Sequence, residues 1–308
     1  MDIIIPFVSC KDKVWFKNYL RFACSKENRM PQIKLDYAYF YDYGTLQYVL
    51  RGIDKFMPYV DNVFLVVSNI EQVPDYVDQS KVKVVLHKDF IPEKYLPTFQ
   101  ANTIEMFMYN IPGLGEEFVY FNDDTIPVSP IKYDELFKDG LPCINFIEND
   151  VTIFPSGRIF NISFGEARNT AQSLTNENIN YNGPALRPQH APIPYLKSVC
   201  DEVVTLPRHN SLLKFYTSHF RSPRNLNQYF WSDILYFLNK YVQSDLKLKY
   251  ITTQEIDTLD INETTKSNQY LCINDFGSDT HMLSEISEII KNKLDTILPD
   301  RCKYEKSE

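Results

Sequence analysis

Glu117-Phe-Val-Tyr-Phe-Asn-Asp-Asp124 is a run of aromatic and β-branched residues that ends abruptly in three polar ones. The apolar part has the length and composition of a buried strand. Two readings fit its end. Adjacent carboxylates offer hard oxygen ligands for Mg²⁺ or Mn²⁺ on the phosphates of a nucleotide substrate. Asn and Asp also end strands in ordinary turns, because their side chains bond the nearby backbone.

Outward from this stretch, other apolar runs alternate with helical spacing. Ile3 to Val8 reads as a first strand, and Val63 to Val67 and Val82 to Leu86 as two more. Thr45 to Met57 places Leu46, Val49, Leu50 and Ile53 at helical intervals before Pro58 stops it. Asn102 to Asn110 is helical material leading into the run at 118. Such alternation predicts an α/β fold with a mostly parallel central sheet. In these sheets ligands sit at the carboxyl ends of the strands. Ser9 to Asp12, Ser68-Asn69, His87 to Asp89 and Asn122 to Asp124 each follow a strand, so all are expected on one rim.

Beyond Pro130 the pattern loosens. Asp150 to Phe164 has period-two character, and Glu166 to Thr175 is a helix candidate. Asn176 to Pro188 reads as a loop, Pro192 to Val203 and Asn225 to Tyr241 as helices, and Lys247 to Ile251 as a strand. Ser284 to Ile297 is an amphipathic helix, and Lys303 to Glu308 a frayed tail. No long linker forces a division, so the expectation is one domain over 1–308, with a donor-binding half (1–130) and an elaboration (131–302).

Composition narrows the function. The 308 residues carry a formal net charge of −8, which argues against a nucleic-acid binder. Six cysteines without a Cys-x-x-Cys pair argue against zinc and for free thiols in a reducing compartment. The start lacks a signal peptide's basic region, and no apolar run reaches the roughly 18–20 residues of a membrane span. A cytoplasmic protein, at most peripherally associated with membrane-bound machinery, is expected. Among nine glycines there is no G-x-G-x-x-G or Walker loop, which weighs against kinases, NTPases and dinucleotide dehydrogenases. No G-x-S-x-G elbow is present either.

Longer motifs then carry a resemblance. Asp42-Tyr-Gly-Thr-Leu-Gln-Tyr-Val-Leu-Arg51 through Pro58, His87-Lys-Asp89-Phe-Ile-Pro92, Leu96-Pro-Thr-Phe99 through Glu105, and Ile111 through Asp124 together resemble the second conserved region of the Stealth family. Asp2 to Val8 with Asp12 resembles the first region. Gln189-His190-Ala-Pro-Ile-Pro-Tyr-Leu-Lys197 and His219-Phe-Arg221-Ser resemble the third, and Cys272-Ile-Asn274-Asp275 with Leu298-Pro299 the fourth. Departures fall mainly in the first region. Phe7 stands where the family usually has Trp, and Ser9-Cys10 where it has Asp-Gly or Asn-Gly. Gln100-Ala101 replace a usual Asn-Ser.

Stealth proteins are sugar-1-phosphate transferases of bacterial capsule synthesis, related to the catalytic subunit that marks lysosomal enzymes with N-acetylglucosamine-1-phosphate. The resemblance implies a nucleotide-sugar-binding core of the GT-A type with a helical C-terminal elaboration. It implies transfer of a hexose- or N-acetylhexosamine-1-phosphate from a UDP-sugar such as UDP-GlcNAc to an oligosaccharide or polysaccharide hydroxyl, with release of UMP. It further implies Asp123 and Asp124 as ligands of Mg²⁺ or Mn²⁺, His190 as general base and Arg221 as phosphate clamp, with Asp12, Arg51, His87, Asn102, Glu105, Asn122, Lys197 and Asn274 lining the substrate site. Two alternatives use the same residues differently: a metal-dependent glycosyltransferase that releases UDP, and a degenerate glycan-binding protein motivated by the changes at Phe7, Ser9 and Cys10.

Overall fold

The computed structural model describes residues 1–25, 40–148, 170–172, 174–175, 186–206, 219–221, 225–275 and 281–307. The strands are β1 (Asp2–Pro6), β2 (Asn62–Val67), β3 (Val82–Leu86), β4 (Glu117–Tyr120), β5 (Thr125–Pro127), β6 (Phe137–Lys138), β7 (Leu141–Ile144), β8 (Phe146–Glu148), β9 (Leu186–Pro188), β10 (Ile193–Leu196), β11 (Val242–Gln243), β12 (Leu248–Thr252) and β13 (Tyr270–Asn274). The helices are α1 (Lys13–Ala23), α2 (Thr45–Phe56), α3 (His87–Phe90), α4 (Ala101–Phe107), α5 (Lys197–Thr205), α6 (Tyr229–Phe237), α7 (Ile261–Ser267) and α8 (Leu283–Asp295). The chain is an α/β protein. The expected Asp150 to Phe164 segment lies outside the described residues, and of Glu166 to Thr175 only 170–172 and 174–175 are described, all helical.

Two compact units interleave along the sequence rather than dividing near 130. One comprises Met1–Ile4, His87–Phe121 and Lys132–Leu246; the other comprises Ile5–Leu86, Asn122–Ile131 and Lys247–Glu308.

In the first unit the opening residues of β1 pair in parallel with β4, Asp2 opposite Phe118 and Ile4 opposite Tyr120. The Asp2 carboxylate accepts the Gly115 N–H at 2.7 Å and fixes the chain's entry into β4. Phe118, Val119, Tyr120 and Phe121 are all buried, as a near-continuous apolar run in a parallel sheet requires. The other side of β4 holds β10 in antiparallel pairing, where the sequence reads as the start of a helix over Pro192 to Val203. Pro194 explains the difference, because proline disfavours helical backbone in the residue before it. Proline is also tolerated on an edge strand, where a missing N–H breaks nothing. The helix starts only after it, as α5 at Lys197. Likewise Leu186–Pro188, expected in a loop, is a strand paired antiparallel with β8. Helix α6 begins at Tyr229 rather than at Asn225.

In the second unit Phe7, just past the end of β1, donates its N–H to Val66 O of β2 at 2.9 Å. Strand β2 pairs in parallel with β3 from Val63/Val82 to Val67/Leu86. A second sheet runs β12-β13-β5, with β13 parallel to β12 and antiparallel to β5. Helix α2 lies on β5 so closely that a Cβ at Gly52 would sit 2.4 Å from the Pro127 carbonyl oxygen and 2.9 Å from its Cδ. The clash is with backbone and a rigid ring, so neither side can yield cheaply. Gly52→Ala is therefore expected to destabilise the protein by about 1–3 kcal/mol, against the small gain such a change gives in an open helix. Thermal or urea unfolding of the two proteins checks this.

The tail is ordered, contrary to the expectation of fraying. Asp78 N–H bonds Tyr304 O at 2.8 Å, and Lys306 N–H bonds Tyr76 O at 2.8 Å. Tyr304 and Glu305 are buried. Glu305 accepts from Arg51 Nε at 2.9 Å and from Gln47 Nε2 at 2.5 Å, while Arg51 Nη1 reaches the Leu298 and Pro299 carbonyls. Arg51, expected at the substrate, is thus engaged with the chain's own C-terminal segment.

Candidate active site

Asn122, Asp123 and Asp124 leave the end of β4 in the second unit and are partly buried. Their backbone is held on both flanks. Thr125 starts β5, and Ile273 N–H of β13 donates to the Asp124 carbonyl at 3.0 Å. The Asp124 carboxylate accepts the Thr125 hydroxyl at 3.1 Å. Burial, then the negative charges of Asp124 and Asp42, push the Asp123 carboxyl well above the usual carboxylate range. The charge of Asp42 thus adds to the pair that the sequence points to. Asp42 precedes α2 and turns its Oδ1 to the Gly44 N–H at 2.8 Å. Gly44 takes the left-handed conformation, φ 83°, that this sharp helix entry demands. Lys11 offsets part of the charge, with Nζ 3.6 Å from Asp42.

Two further groups border the cluster. Burial, and then the charge of Asp124, push the Cys272 thiol well up. The Tyr76 phenol is raised by burial and by Asp42, Glu305 and Asp123. Tyr76 was not singled out from sequence, since nothing in a surface-like Asp-Tyr-Val marks it. Asn274 ends β13 opposite Thr252, and its neighbour Asp275 accepts the Thr253 hydroxyl at 3.1 Å.

Asp12 is accounted for by structure. Its Oδ1 caps α1 by accepting Val14 and Trp15 N–H, and Oδ2 accepts Asn69 Nδ2 at 3.0 Å and Gln72 Nε2 at 3.1 Å. Burial raises its pKa, but these four bonds outweigh it and leave the carboxyl below its ordinary value. Gln72 also bonds Ser9, so the polar ends of β1 and β2 do meet, as a mutual network.

The first unit holds the other candidates. Glu105 on α4 is buried, with Tyr120 OH on Oε1 at 3.1 Å and Gln228 N–H on Oε2 at 2.7 Å. Trp231 Nε1 adds a bond to its backbone carbonyl. Burial raises its pKa against these donors and the nearby positive charge of Arg221. Glu105 and Arg221 are therefore brought together as a buried acid with a cationic neighbour. His219, two residues earlier, turns Nδ1 to Pro97 O at 2.5 Å, and Phe220 stacks on Phe99 at 5.4 Å, which seats the Arg221 segment against the loop before α4.

His190 follows β9, with Nδ1 3.2 Å from the Tyr229 hydroxyl at the start of α6. Lys197 begins α5 and pairs with Asp201 one turn on, at 2.6 Å. Asn102 is buried in α4. His87 is buried at the start of α3, its Nε2 without a partner among the described residues, and burial lowers its pKa to about 4. An imidazole held neutral cannot serve as a cationic phosphate ligand.

Comparison with known proteins adds a second line of observation. A family model described as Stealth protein CR2, conserved region 2, matches residues 39–143. The receptor polysaccharide phosphotransferase WefC of Streptococcus oralis is 28% identical over 336 residues, covering 99% of this chain and 99% of the relative. The capsular polysaccharide phosphotransferase WcwK of Streptococcus pneumoniae is 26% identical over 340 residues, again 99% of each. A capsular polysaccharide phosphotransferase of Actinobacillus suis is 26% identical over 90% of this chain and 77% of its own length. The galactosyltransferase LgtC structure overlays 96% of each chain at 9% identity and a TM-score of 0.42. The chain is thus similar to Stealth proteins over residues 39–143 and to polysaccharide phosphotransferases along nearly its whole length.

Proposed function

We propose that this protein transfers a hexose- or N-acetylhexosamine-1-phosphate from a UDP-sugar to a glycan hydroxyl, forming a phosphodiester and releasing UMP, in cytoplasmic synthesis of a capsule or other surface polysaccharide. The adjacent Asp123–Asp124 pair at the end of β4 carries the reading, in a chain matched end to end by relatives named phosphotransferases.

Asp123 and Asp124 are the assigned ligands of Mg²⁺ or Mn²⁺. The donor set fits: clustered carboxylate oxygens are hard ligands, and like charges crowded together are relieved by a cation. When bound, the ion supplies charge neutralisation at the donor diphosphate. Arg221 clamps the attacked phosphate, its planar fork making two charged hydrogen bonds to one oxyanion. The acceptor oxygen bonds to the sugar-bearing phosphorus, the bond from that phosphorus to the UMP oxygen breaks, and the acceptor's proton passes to His190. Tyr229 at Nδ1 orients the ring. Glu105 holds the Arg221 side of the site and Asn102, Asn122 and Asn274 offer neutral polar contacts to the donor. Arg51, Asp12 and Lys197 support these elements through the bonds described above, and His87 packs as a buried ring against Phe90.

The experiment is a panel of nucleotide sugars incubated with Mg²⁺ or Mn²⁺ and candidate acceptors, with the released nucleotide separated by chromatography. UMP is expected. Release of UDP would instead favour transfer by cleavage at the anomeric carbon, and absence of binding and turnover across the panel would favour a non-catalytic glycan binder. His190→Ala is expected to slow transfer by about 10²–10⁴-fold with the fold intact.

A further inference from the structure

Helix α1 is locally basic in an acidic protein. Lys13, Lys17 and Arg21 follow at intervals of four, the helix contains no acidic residue, and Lys11 lies just before it. Its inward stripe is Trp15, Tyr19 and Ala23, all buried. The basic stripe is offset from that one by two positions, about 200° around the axis, and so faces directly away from the core. All three cations are exposed, and none makes an ion pair among the described residues. Beside them Val14 is 66% exposed, the highest value among the large hydrophobic side chains of the described residues. An open groove of about 450 Å³ runs along this face, lined by Cys10, Lys11, Lys13, Phe16, Lys17 and Leu20.

A face that only had to stay solvated would need no apolar residue at its crest. Cations arranged around half-exposed Phe16 and Leu20 and a projecting Val14 match the charge and polarity profile of an anionic bilayer surface, with phosphates outside and hydrocarbon just beneath. We infer that the outward face of α1 docks the protein on an anionic lipid bilayer, Lys13, Lys17 and Arg21 pairing with headgroup phosphates and Val14 entering the interfacial layer. No helix among the described residues is long and apolar enough to cross a membrane, so this contact is peripheral. The inference stands apart from the reaction assigned above, since no residue of this face is given a part in it.

Co-sedimentation of the full chain with vesicles tests it. Vesicles of mixed phosphatidylglycerol and phosphatidylcholine are expected to bind the protein, pure phosphatidylcholine vesicles much less, and salt raised from about 0.05 M to about 0.5 M should release it. The combined Lys13→Glu, Lys17→Glu and Arg21→Glu variant should lose more than about tenfold in partitioning. Val14→Asp should also lose affinity. Circular dichroism and the thermal midpoint confirm folding, and a Lys→Gln, Arg→Gln set replaces the Glu set if folding suffers. Equal binding by folded variants, or no binding of the parent protein to anionic vesicles, overturns the inference. Binding to soluble dextran sulfate as tight as to vesicles, unaffected by Val14→Asp, overturns it in favour of a polyanion groove.

Discussion

Asp124→Asn is expected to lower sugar-1-phosphate transfer by at least about a hundredfold to a thousandfold, the scale set by removing a charged group aimed at a transition state. The same variant should not lose stability in the absence of metal. The Asp124 carboxylate accepts the Thr125 hydroxyl, a bond an amide oxygen also accepts, while its charge works against Asp123. Removing a negative charge that presses on the buried Asp123 leaves the thermal midpoint unchanged or raises it. Activity and unfolding measured side by side separate the readings. Near-parental activity removes Asp124 from the assigned role, whereas lost activity with a lowered midpoint would make the residue a structural turn.

The second large effect concerns stability. Arg51 and Glu305 are both buried, and Glu305 receives Arg51 Nε and Nη2, Gln47 Nε2 and the Cys302 N–H. Removing Arg51 leaves the buried Glu305 charge uncompensated, and removing Glu305 leaves Arg51 only the longer pairing with Asp295 at 3.8 Å, so Arg51→Ala or Glu305→Ala should each cost about 3–5 kcal/mol. The double replacement by apolar residues should cost less than the sum. A pH dependence follows. Burial pushes the Glu305 carboxyl up, but its bonds to Arg51, Gln47 and Cys302 bring it below the ordinary glutamate value. Its contribution is therefore present above about pH 4.3, the unfolded value, and is lost as pH falls through the lower folded value. Urea unfolding at pH 7 and below pH 4 should show the parent losing this increment and Glu305→Ala lacking it throughout. A variant as stable as the parent at pH 7 would mean that the tail does not hold α2.

Much of the fold was legible in local pattern. β1 to β4 and α2 stand where apolar runs and helical spacing place them, because a strand buried on both faces and an amphipathic helix leave plain signatures. β10 was misread because Ile193-Pro-Tyr-Leu has apolar residues at spacings compatible with either state, and its pairing with β4 decides. The tail was misread for a related reason. Lys303 to Ser307 is polar and terminal, and the distant Arg51 and Gln47 help make burial of Glu305 favourable. Partnerships between residues far apart in sequence are not written in periodicity.

The site shows the same limit. Asp123 and Asp124 were visible as an odd polar end to an apolar strand, and the turn reading and the metal reading were equally open. Asp42 opens the motif that leads into α2 and bonds the Gly44 N–H. What the sequence could not show is that its charge also reaches Asp123. Arg51, which the resemblance places at the substrate site, bonds the C-terminal segment, because a helical arginine looks the same in sequence whether its partner is a substrate or another part of the chain. Glu105, which the resemblance also places at the substrate site, has its carboxylate enclosed by Tyr120 and Gln228.

The central claim is that phosphorus, not the anomeric carbon, is attacked. A donor sugar nucleotide carrying ¹⁸O in the bridge between its anomeric carbon and phosphorus tests it most directly, with the products read by mass spectrometry and ³¹P NMR. Retention of the label in a new sugar–phosphate–glycan diester, with unlabelled UMP released, is the predicted result. Label leaving with UDP and a product free of phosphorus would contradict it.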